Sequence, residues 1–385
     1  MNIVFFQHGN YAEAYNRFQH EGNETYRDQK ASVDFVSRLS NNNSVTTVAI
    51  TENSHDINLT PTLRSIGISY IDLTKERIPL FFDTLKPDRL ICRTPNWQVL
   101  RQARINSIPT LAHFADIFHN SSPRAFFQNM RLRATLTGKN VTCITNHSRN
   151  ASLSLRNALF FPKSRIVPWD RRTIDSHLDP RDFSGAENAP SLFYAGSLSE
   201  SKGVGDLLYA ISILNTRGID ATLSVASGSN PNEWINLAEK LRISDRISFK
   251  GLIANDQILR EMRAHDLVIV PSRQNYAEGL PNTLRESLAV KTPLVISDHP
   301  AFKGRIEKDK ECLMFRAGDA TSLANAIQRL TATPSLYRHL SQNSQAALER
   351  LPFGIFWDQL WELFLRNPEP NASWIQENSL ESLMN

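Results

Sequence analysis

Between Val268 and Ser297 the chain reads V-I-V-P-S-R-Q-N-Y-A-E-G-L-P-N-T-L-R-E-S-L-A-V-K-T-P-L-V-I-S. Two carboxylates, Glu278 and Glu286, stand here with a glycine, Gly279, and a Pro281 suited to the first position of a helix. A carboxylate can accept two hydrogen bonds from a vicinal diol and so reads ribose or sugar hydroxyls. A glycine lets backbone approach a ligand without a Cβ clash, and a helix start offers unpaired N–H groups to phosphate. On one continuous helix the two glutamates would lie about 80° apart around the axis. A helix opening at Pro281 instead leaves Glu278 on the preceding loop and Glu286 inside the helix. Such a strand–loop–helix–strand unit can hold the diphosphate, ribose and sugar of an activated sugar donor at once. The bland alternative makes Glu278 a partner of the helix dipole and Glu286 a surface residue.

Three further constellations carry chemistry. Leu192–Gly205, L-F-Y-A-G-S-L-S-E-S-K-G-V-G, reads as a strand, a glycine turn and a helix opening near Lys202. Lys202 would add a full charge to the N-terminal dipole of that helix, or it is a solvated first-turn side chain. No G-x4-G-K-[S/T] phosphate loop occurs, since Gly138-Lys139 is followed by Asn140. His113, in I-P-T-L-A-H-F-A-D, sits just past a buried strand, where ligand sites of α/β sheets form; packing is the competing role. Asp116 serves equally as an N-cap or a ligand contact. Arg124, Arg131, Arg133 and Lys139 interleave with Phe126, Phe127, Met130 and Leu132. That pattern makes either a basic amphipathic helix for an anionic lipid surface or a solvated face.

The elements that must position these residues alternate in type. Candidate strands are Ile3–Phe6, Val45–Ile50, Ile68–Ile71, Arg89–Cys92, Pro109–Ala112 and Val141–Thr145, then Leu192–Ala195, Ala221–Ala226, Arg246–Lys250, Leu267–Val270 and Leu294–Ser297. Amphipathic stretches such as Tyr26–Leu39, Trp97–Ile105, Gly203–Thr216 and Pro281–Val290 separate them. Strands alternating with helices imply parallel pairing and a doubly wound sheet. The alternation lapses in a polar, turn-rich stretch, so the expected division is a first domain over 1–170, a connection over 171–190 and a second domain over 191–352. A helix over 353–366, with Phe356, Trp357, Leu360, Trp361 and Phe364 on one apolar face, is expected to cross back to the first domain. The remaining 367–385 reads as a loose tail.

Bulk composition excludes other classes. The chain has 385 residues, 41% hydrophobic and 21% charged, which suits two soluble α/β domains. No apolar run approaches the roughly 18–20 residues of a membrane span. The start, M-N-I-V-F-F-Q-H, lacks a basic n-region and reads as a first buried strand. Cys92, Cys143 and Cys312 are spaced like reduced core thiols of a cytoplasmic protein, not like a disulfide or zinc framework. A net charge of +4 suits anionic ligands or an anionic membrane surface and is too diffuse for nucleic acid.

The second half closely resembles the retaining glycosyltransferases of family 4. The matching motifs are G-S-L-S-E-S-K-G at Gly196–Gly203, V-P-S at Val270–Ser272, E-G-L-P-N-T-L-R-E at Glu278–Glu286 (the E-x7-E motif of that family) and T-P-L-V-I-S-D at Thr292–Asp298. The resemblance covers about 190–350 and extends only loosely to P-T-L-A-H at 109–113 and T-N-H-S-R-N at 145–150. It implies the GT-B architecture: two facing Rossmann-like domains, each a mainly parallel sheet flanked by helices, with a cleft between. It further implies that Glu286 binds ribose, Lys202 and Gly203 the diphosphate, and that Gly279, Leu280, Pro281, Asn282 and Thr283 cradle diphosphate and sugar. Glu278 would contact the transferred sugar, and His113 would approach it from the first domain. Gly196 and Ser197 form the turn in which the family usually carries an arginine; with Ser197 there, the cation pair is reduced to Lys202 unless another arginine, such as Arg273, swings in. The implied protein is a hexosyltransferase that needs no cofactor or metal. It takes a nucleotide-diphosphate sugar and a saccharide or lipid-linked acceptor in cell-surface polysaccharide or lipopolysaccharide assembly. It would work in the cytoplasm or at the inner face of the membrane, through Arg124–Lys139. A non-catalytic nucleotide-sugar-binding protein, a nucleotide-sugar epimerase of the same fold and a lipid-surface scaffold are the competing readings.

Overall fold

The computed structural model describes residues 1–69, 73–74, 76–175, 177–183 and 189–384. Ile71, parts of the expected 171–190 connection and the last residue of the expected tail lie outside the described residues. The chain divides into two compact units: Met1–Asn23, Asp28–Arg172 and Phe353–Asn385 form the first, and Glu24–Arg27 with Thr173–Pro352 the second.

Among the described residues the first unit carries nine strands: β1 (Asn2–His8), β2 (Ser44–Ile50), β3 (His55–Thr60), β4 (Leu63–Ile68), β5 (Arg89–Cys92), β6 (Thr110–Phe114), β7 (Val141–His147), β8 (Ile166–Asp170) and, from the far end of the chain, β15 (Ile355–Phe356). Their order is β15-β8-β7-β6-β5-β1-β2-β4-β3, with β3 antiparallel to β4 and all other pairs parallel. Helices α1 (Tyr11–Gln19) and α2 (Gln29–Leu39) cover one face, and α3 (Arg77–Leu85), α4 (Trp97–Ile105), α5 (Pro123–Leu136) and α6 (Ser148–Leu159) the other. Both faces of the sheet are therefore buried, which is why its central strands read as unbroken apolar runs.

The second unit carries β9 (Ser191–Ala195), β10 (Thr222–Ala226), β11 (Ile247–Gly251), β12 (Leu267–Val270), β13 (Leu294–Ser297) and β14 (Leu313–Phe315). They lie in the order β11-β10-β9-β12-β13-β14, all parallel. Helices α7 (Val204–Thr216), α8 (Asn232–Lys240), α9 (Asn255–Ala264), α10 (Asn282–Ala289), α11 (Ala320–Thr331) and α12 (Pro334–Arg350) pack on its two faces. Strand order reverses between β9 and β12. The loops leaving the carboxyl ends of these two strands open on opposite sides of a crevice, where α/β sheets bind ligands.

Several expectations change. The strand expected at Ile68–Ile71 is β4, which begins at Leu63 and forms a hairpin with β3; the polar, half-exposed H-D-I-N-L-T of β3 hides its edge-strand role. The helix expected over 353–366 begins with strand β15 and turns helical only at α13 (Trp357–Arg366). Gly354 makes that strand possible: its φ is +102°, and a Cβ there would lie 2.1 Å from the Pro168 carbonyl oxygen. Asp170 completes the join by accepting the Phe353 amide at 2.9 Å. The expected loose tail is packed. It holds α14 (Ser373–Glu377), buries Trp374, Ile375 and Leu380, and donates the Leu380 amide to the Ile166 carbonyl at 2.7 Å.

The apolar face of α13 lies in the first unit's core, with Trp361 against Phe5 at 5.2 Å and Phe35 at 5.4 Å between ring centroids. Trp361→Ala is expected to cost roughly 3–5 kcal/mol, read as a lower midpoint in urea unfolding of the full chain.

Candidate functional site

The two loops at the switch point of the second unit meet through backbone. Gly203 sits in the left-handed region at φ +74°, and a Cβ there would fall 2.0 Å from the Pro271 carbonyl oxygen. The Arg273 amide donates to the Ser201 carbonyl at 2.9 Å, tying the same loops one step further on. This approach sets Lys202, at the start of α7, against the loop that follows β12.

There Lys202 Nζ pairs with Glu278 Oε2 at 2.7 Å and stands 4.2 Å from the centroid of the Tyr276 ring. Ser272 Oγ donates to the same carboxylate oxygen at 2.7 Å. Both members of the pair are largely buried, so the charges compensate one another where water screens little. His299, just past β13, fixes the loop beneath them. Its Nδ1 accepts the Ala301 amide at 3.1 Å, which leaves the proton on Nε2 to donate to the Tyr276 carbonyl at 3.1 Å. Burial lowers the pKa of His299, which favours this neutral form. Tyr194 donates its hydroxyl to the Ser197 carbonyl at 2.7 Å. Burial, with Glu278 and Tyr276 nearby, raises its pKa and keeps it a neutral donor.

Beside this cluster the second unit holds a cavity of about 380 Å³, lined by Gly196, Ser197, Asn282, Thr283 and Glu286 together with Ser227–Ser229, Leu252, Ile253 and the segment Thr25–Arg27. Asn282 and Thr283 open α10, and Pro281 precedes its first turn in extended conformation, one place earlier than expected. The Thr283 hydroxyl donates to the Ala195 carbonyl at 3.1 Å, fastening the α10 N-terminus to the end of β9. Glu286 is buried one turn further in, on the cavity wall.

The second unit thus gathers Gly196, Ser197, Lys202, Gly203, Glu278, Gly279, Pro281, Asn282, Thr283 and Glu286 on two adjoining loops and one helix. Two expected donor-binding side chains point elsewhere. Arg273 gives a two-pronged hydrogen bond to Asp206, both contacts at 2.7 Å, and meets Glu200 at 2.6 Å. Two carboxylates hold its guanidinium, so it braces α7 and does not stand in for the family arginine at Ser197. Leu280 buries its side chain in the core beside Leu284 and Phe302 and can offer a ligand only its backbone.

His113 belongs to the first unit and is only 3% exposed. Its ring stacks on Trp169 at 4.4 Å, meets the edge of Trp361 at 5.5 Å, and bonds through Nδ1 to Thr145 Oγ1 at 3.1 Å. The packing role weighed for it is thus the one its surroundings provide, and the second unit's cluster does not include it. Asp116 caps no helix, since Ser122 caps α5. Sequence reasoning gave no role to Ser272, which it met only as the end of the V-P-S motif, and passed over Tyr276 and His299. Their signal lay in position: each follows the carboxyl end of β12 or β13, where the ligand crevice of such a sheet lies. The Thr25–Arg27 segment carried no such signal.

Residues 178–347 match the family model described as Glycosyl transferases group 1. The chain is 25% identical over 176 residues to the alpha-D-kanosaminyltransferase of Streptomyces kanamyceticus, covering 46% of this chain and 45% of that protein. It is 28% identical over 189 residues to the lipopolysaccharide core biosynthesis glycosyltransferase LpsE of Rhizobium meliloti, covering 49% and 51%. The chain spans about half the length of the curated relatives it matches. Among solved structures, Anabaena HepE in complex with UDP and glucose superposes with a TM-score of 0.69 at 15% identity, over 95% of this chain and 100% of that one. The fold is accordingly that of the GT-B glycosyltransferases, two α/β units of parallel sheet flanked by helices.

Burial, then the charges of Arg93, His147 and Arg171, push the His113 pKa well below its ordinary 6.5. The unfolded chain takes up a proton near that value that the folded chain refuses. Stability from the neutral ring is fully present above about 6.5 and is lost progressively as pH falls from there towards the lowered folded value. Urea midpoints measured at about pH 7.5 and about pH 5 are expected to drop less in His113→Gln than in the unmodified chain. An equal drop would count against this residue as a source of the acid sensitivity.

Proposed function

We propose that the chain is a retaining glycosyltransferase, of the family 4 type, that moves a hexose from a nucleotide-diphosphate sugar to a saccharide or lipid-linked acceptor. The observation that carries this reading is the meeting, at one strand-order reversal, of a Lys202–Glu278 pair with a cavity walled by Glu286 and the N-terminus of α10. A diphosphate suits the helix N-terminus and the lysine, a ribose diol suits Glu286, and the sugar hydroxyls suit Glu278. LpsE and HepE support the donor and acceptor classes by what their names and titles state: lipopolysaccharide core biosynthesis for one, UDP and glucose for the other.

In this reading an arriving diphosphate draws Lys202 away from Glu278, and the released carboxylate turns to the sugar. The bond between the anomeric carbon and the diphosphate oxygen breaks, and its electron pair leaves with the nucleotide. An acceptor oxygen bonds to the same face of that carbon, and its proton passes to the departing phosphate. Catalysis then consists of positioning and charge stabilisation by Lys202 and the helix N-termini, without a metal.

Turnover of UDP-glucose, GDP-mannose and ADP-glucose, followed by nucleotide release, tests the proposal. One donor should turn over, and Glu278→Ala and Lys202→Ala should each slow it about a hundredfold or more. Donor binding with no release in the unmodified chain, with and without saccharide acceptors, would assign it to the non-catalytic binders instead.

The site of action is proposed as an anionic membrane surface. Among the described residues no helix is long and apolar enough to cross a membrane. α5, however, exposes Phe126 and Phe127 beside Arg124 and Arg131, while Arg133 turns inward to the Leu159 carbonyl and the Phe161 ring. Basic and aromatic side chains on one exposed helix are the pattern of interfacial binding. Arg124→Glu/Phe127→Ser should abolish flotation of the chain with phosphatidylglycerol vesicles; unchanged flotation would remove the idea.

A further inference from the structure

We infer that His299 is a positioning residue for sugar transfer, holding the backbone of the β12–α10 loop while the Glu278 carboxylate changes partners. The inference rests on the donor reading above. Its geometry turns on one backbone oxygen. The Tyr276 carbonyl accepts the Glu278 amide at 2.8 Å and His299 Nε2 at 3.1 Å, one hydrogen bond for each of its lone pairs. The Tyr276 ring stands 4.2 Å from Lys202 Nζ. A shift of Tyr276 would therefore reach Glu278 through its amide and Lys202 through the ring. His299 is built to prevent that shift. The Ala301 amide occupies Nδ1, so the neutral ring keeps its proton on Nε2, the atom that faces the carbonyl. The ring itself packs 5.5 Å from that of Phe302, which is fully buried and donates its amide to the His299 carbonyl at 3.0 Å.

The loop is well held at its ends and lightly held between them. At its start the Ser272 carbonyl accepts the Ser297 hydroxyl at 2.6 Å, and the Arg273 amide reaches the Ser201 carbonyl. At its far end Leu280 is buried in the core. In the middle Gln274, Asn275 and Ala277 are exposed, and a Cβ on Gly279 would meet nothing within 4 Å. Backbone just beyond Glu278 thus has room to swing. Two ties of different kinds cross this middle stretch. The Lys202–Glu278 pair holds a side chain, and the His299 bond holds backbone at the end of β13. In the proposed mechanism an arriving diphosphate releases the first tie; the second stays. Glu278 can then turn its carboxylate to the sugar without its backbone drifting. The α10 N-terminus and Glu286 are fastened separately, through Thr283 to the Ala195 carbonyl. Loss of the His299 bond should accordingly reach the chemical step more than donor affinity.

Two variants of the full chain separate the roles of the two ring nitrogens. His299→Asn places an acceptor near the position of Nδ1, and His299→Gln places a donor near that of Nε2. With the donor that the unmodified chain turns over, His299→Asn should lower kcat about ten- to a hundredfold and leave KM for the donor within about threefold. His299→Gln should recover most of that kcat. In a Glu278→Ala background, His299→Asn should lower kcat by no more than about a further twofold, because the carboxylate it positions is already gone. An unchanged kcat in His299→Asn would overturn the inference while leaving the donor reading intact. Equal losses in the Asn and Gln variants would overturn it too, as would a raised KM with kcat unchanged. A loss of the same size with and without Glu278 would assign His299 to general support of the fold and not to this carboxylate. Absence of turnover in the unmodified chain with UDP-glucose, GDP-mannose and ADP-glucose would instead remove the donor reading and the role of His299 with it.

Discussion

The close approach of Gly203 to the Pro271 carbonyl is the constraint from which the rest of the candidate site follows. With a virtual Cβ only 2.0 Å from that oxygen, no other residue fits without moving one of the two loops. The left-handed φ of Gly203 lets the chain turn directly from the post-β9 loop into α7. Lys202 is consequently delivered across the switch point to Glu278, although the two are far apart in sequence. Parallel strand order supplies the crevice and this contact sets its width. Of the two contacts on Glu278, the ion pair with Lys202 joins the two loops and so depends on this approach, whereas the Ser272 hydrogen bond lies within one loop.

That pair also explains how two charges can be buried at this site. A buried lysine or carboxylate alone would lose several kcal/mol of hydration. Pairing, the Tyr276 ring and the Ser272 hydroxyl offset that loss. Asp206 is treated the same way, since its buried carboxylate is met by both prongs of Arg273. Two neighbouring ion pairs thus have different fates. The Arg273–Asp206 pair is bidentate and locks an element, which suits a brace. The Lys202–Glu278 pair joins a flexible point charge to one oxygen, which suits an exchange of partners.

The sequence disclosed the second unit better than the first, for physical reasons. β12 and β13 are buried along their whole length and match their expected bounds, as do the glutamates on either side of the α10 start. Where a strand was exposed, very short or interrupted by proline, as in β3, β14 and β8, pattern reading missed it. The same holds for side chains. Periodicity identifies which residues lie at the end of a strand but not where a guanidinium turns, so Arg273 looked available and is not. His113 stood in a ligand-prone position, yet Trp169 and Trp361, distant in sequence, close over it. The packed 367–384 segment hid because its few apolar residues follow no regular period.

The spacing of the two glutamates gains a physical meaning from the positions they occupy. Seven intervening residues contain one loop stretch, one helix start and one turn of helix, so the carboxylates answer to different constraints. Glu278 lies on a loop whose geometry is set by the Tyr276 carbonyl, and its amide donates back to that carbonyl at 2.8 Å. Glu286 lies on a rigid helix fastened to β9 through Thr283. A carboxylate on a loop can change partners; one on a helix keeps its place. In the proposed reading, Glu286 would hold the nucleoside end of a donor while Glu278 follows its sugar end. A shorter spacing would put both on the loop, and a continuous helix would hold both rigid. The helix start at Asn282 therefore separates a fixed carboxylate from an adjustable one, as well as offering its N–H groups to an anion.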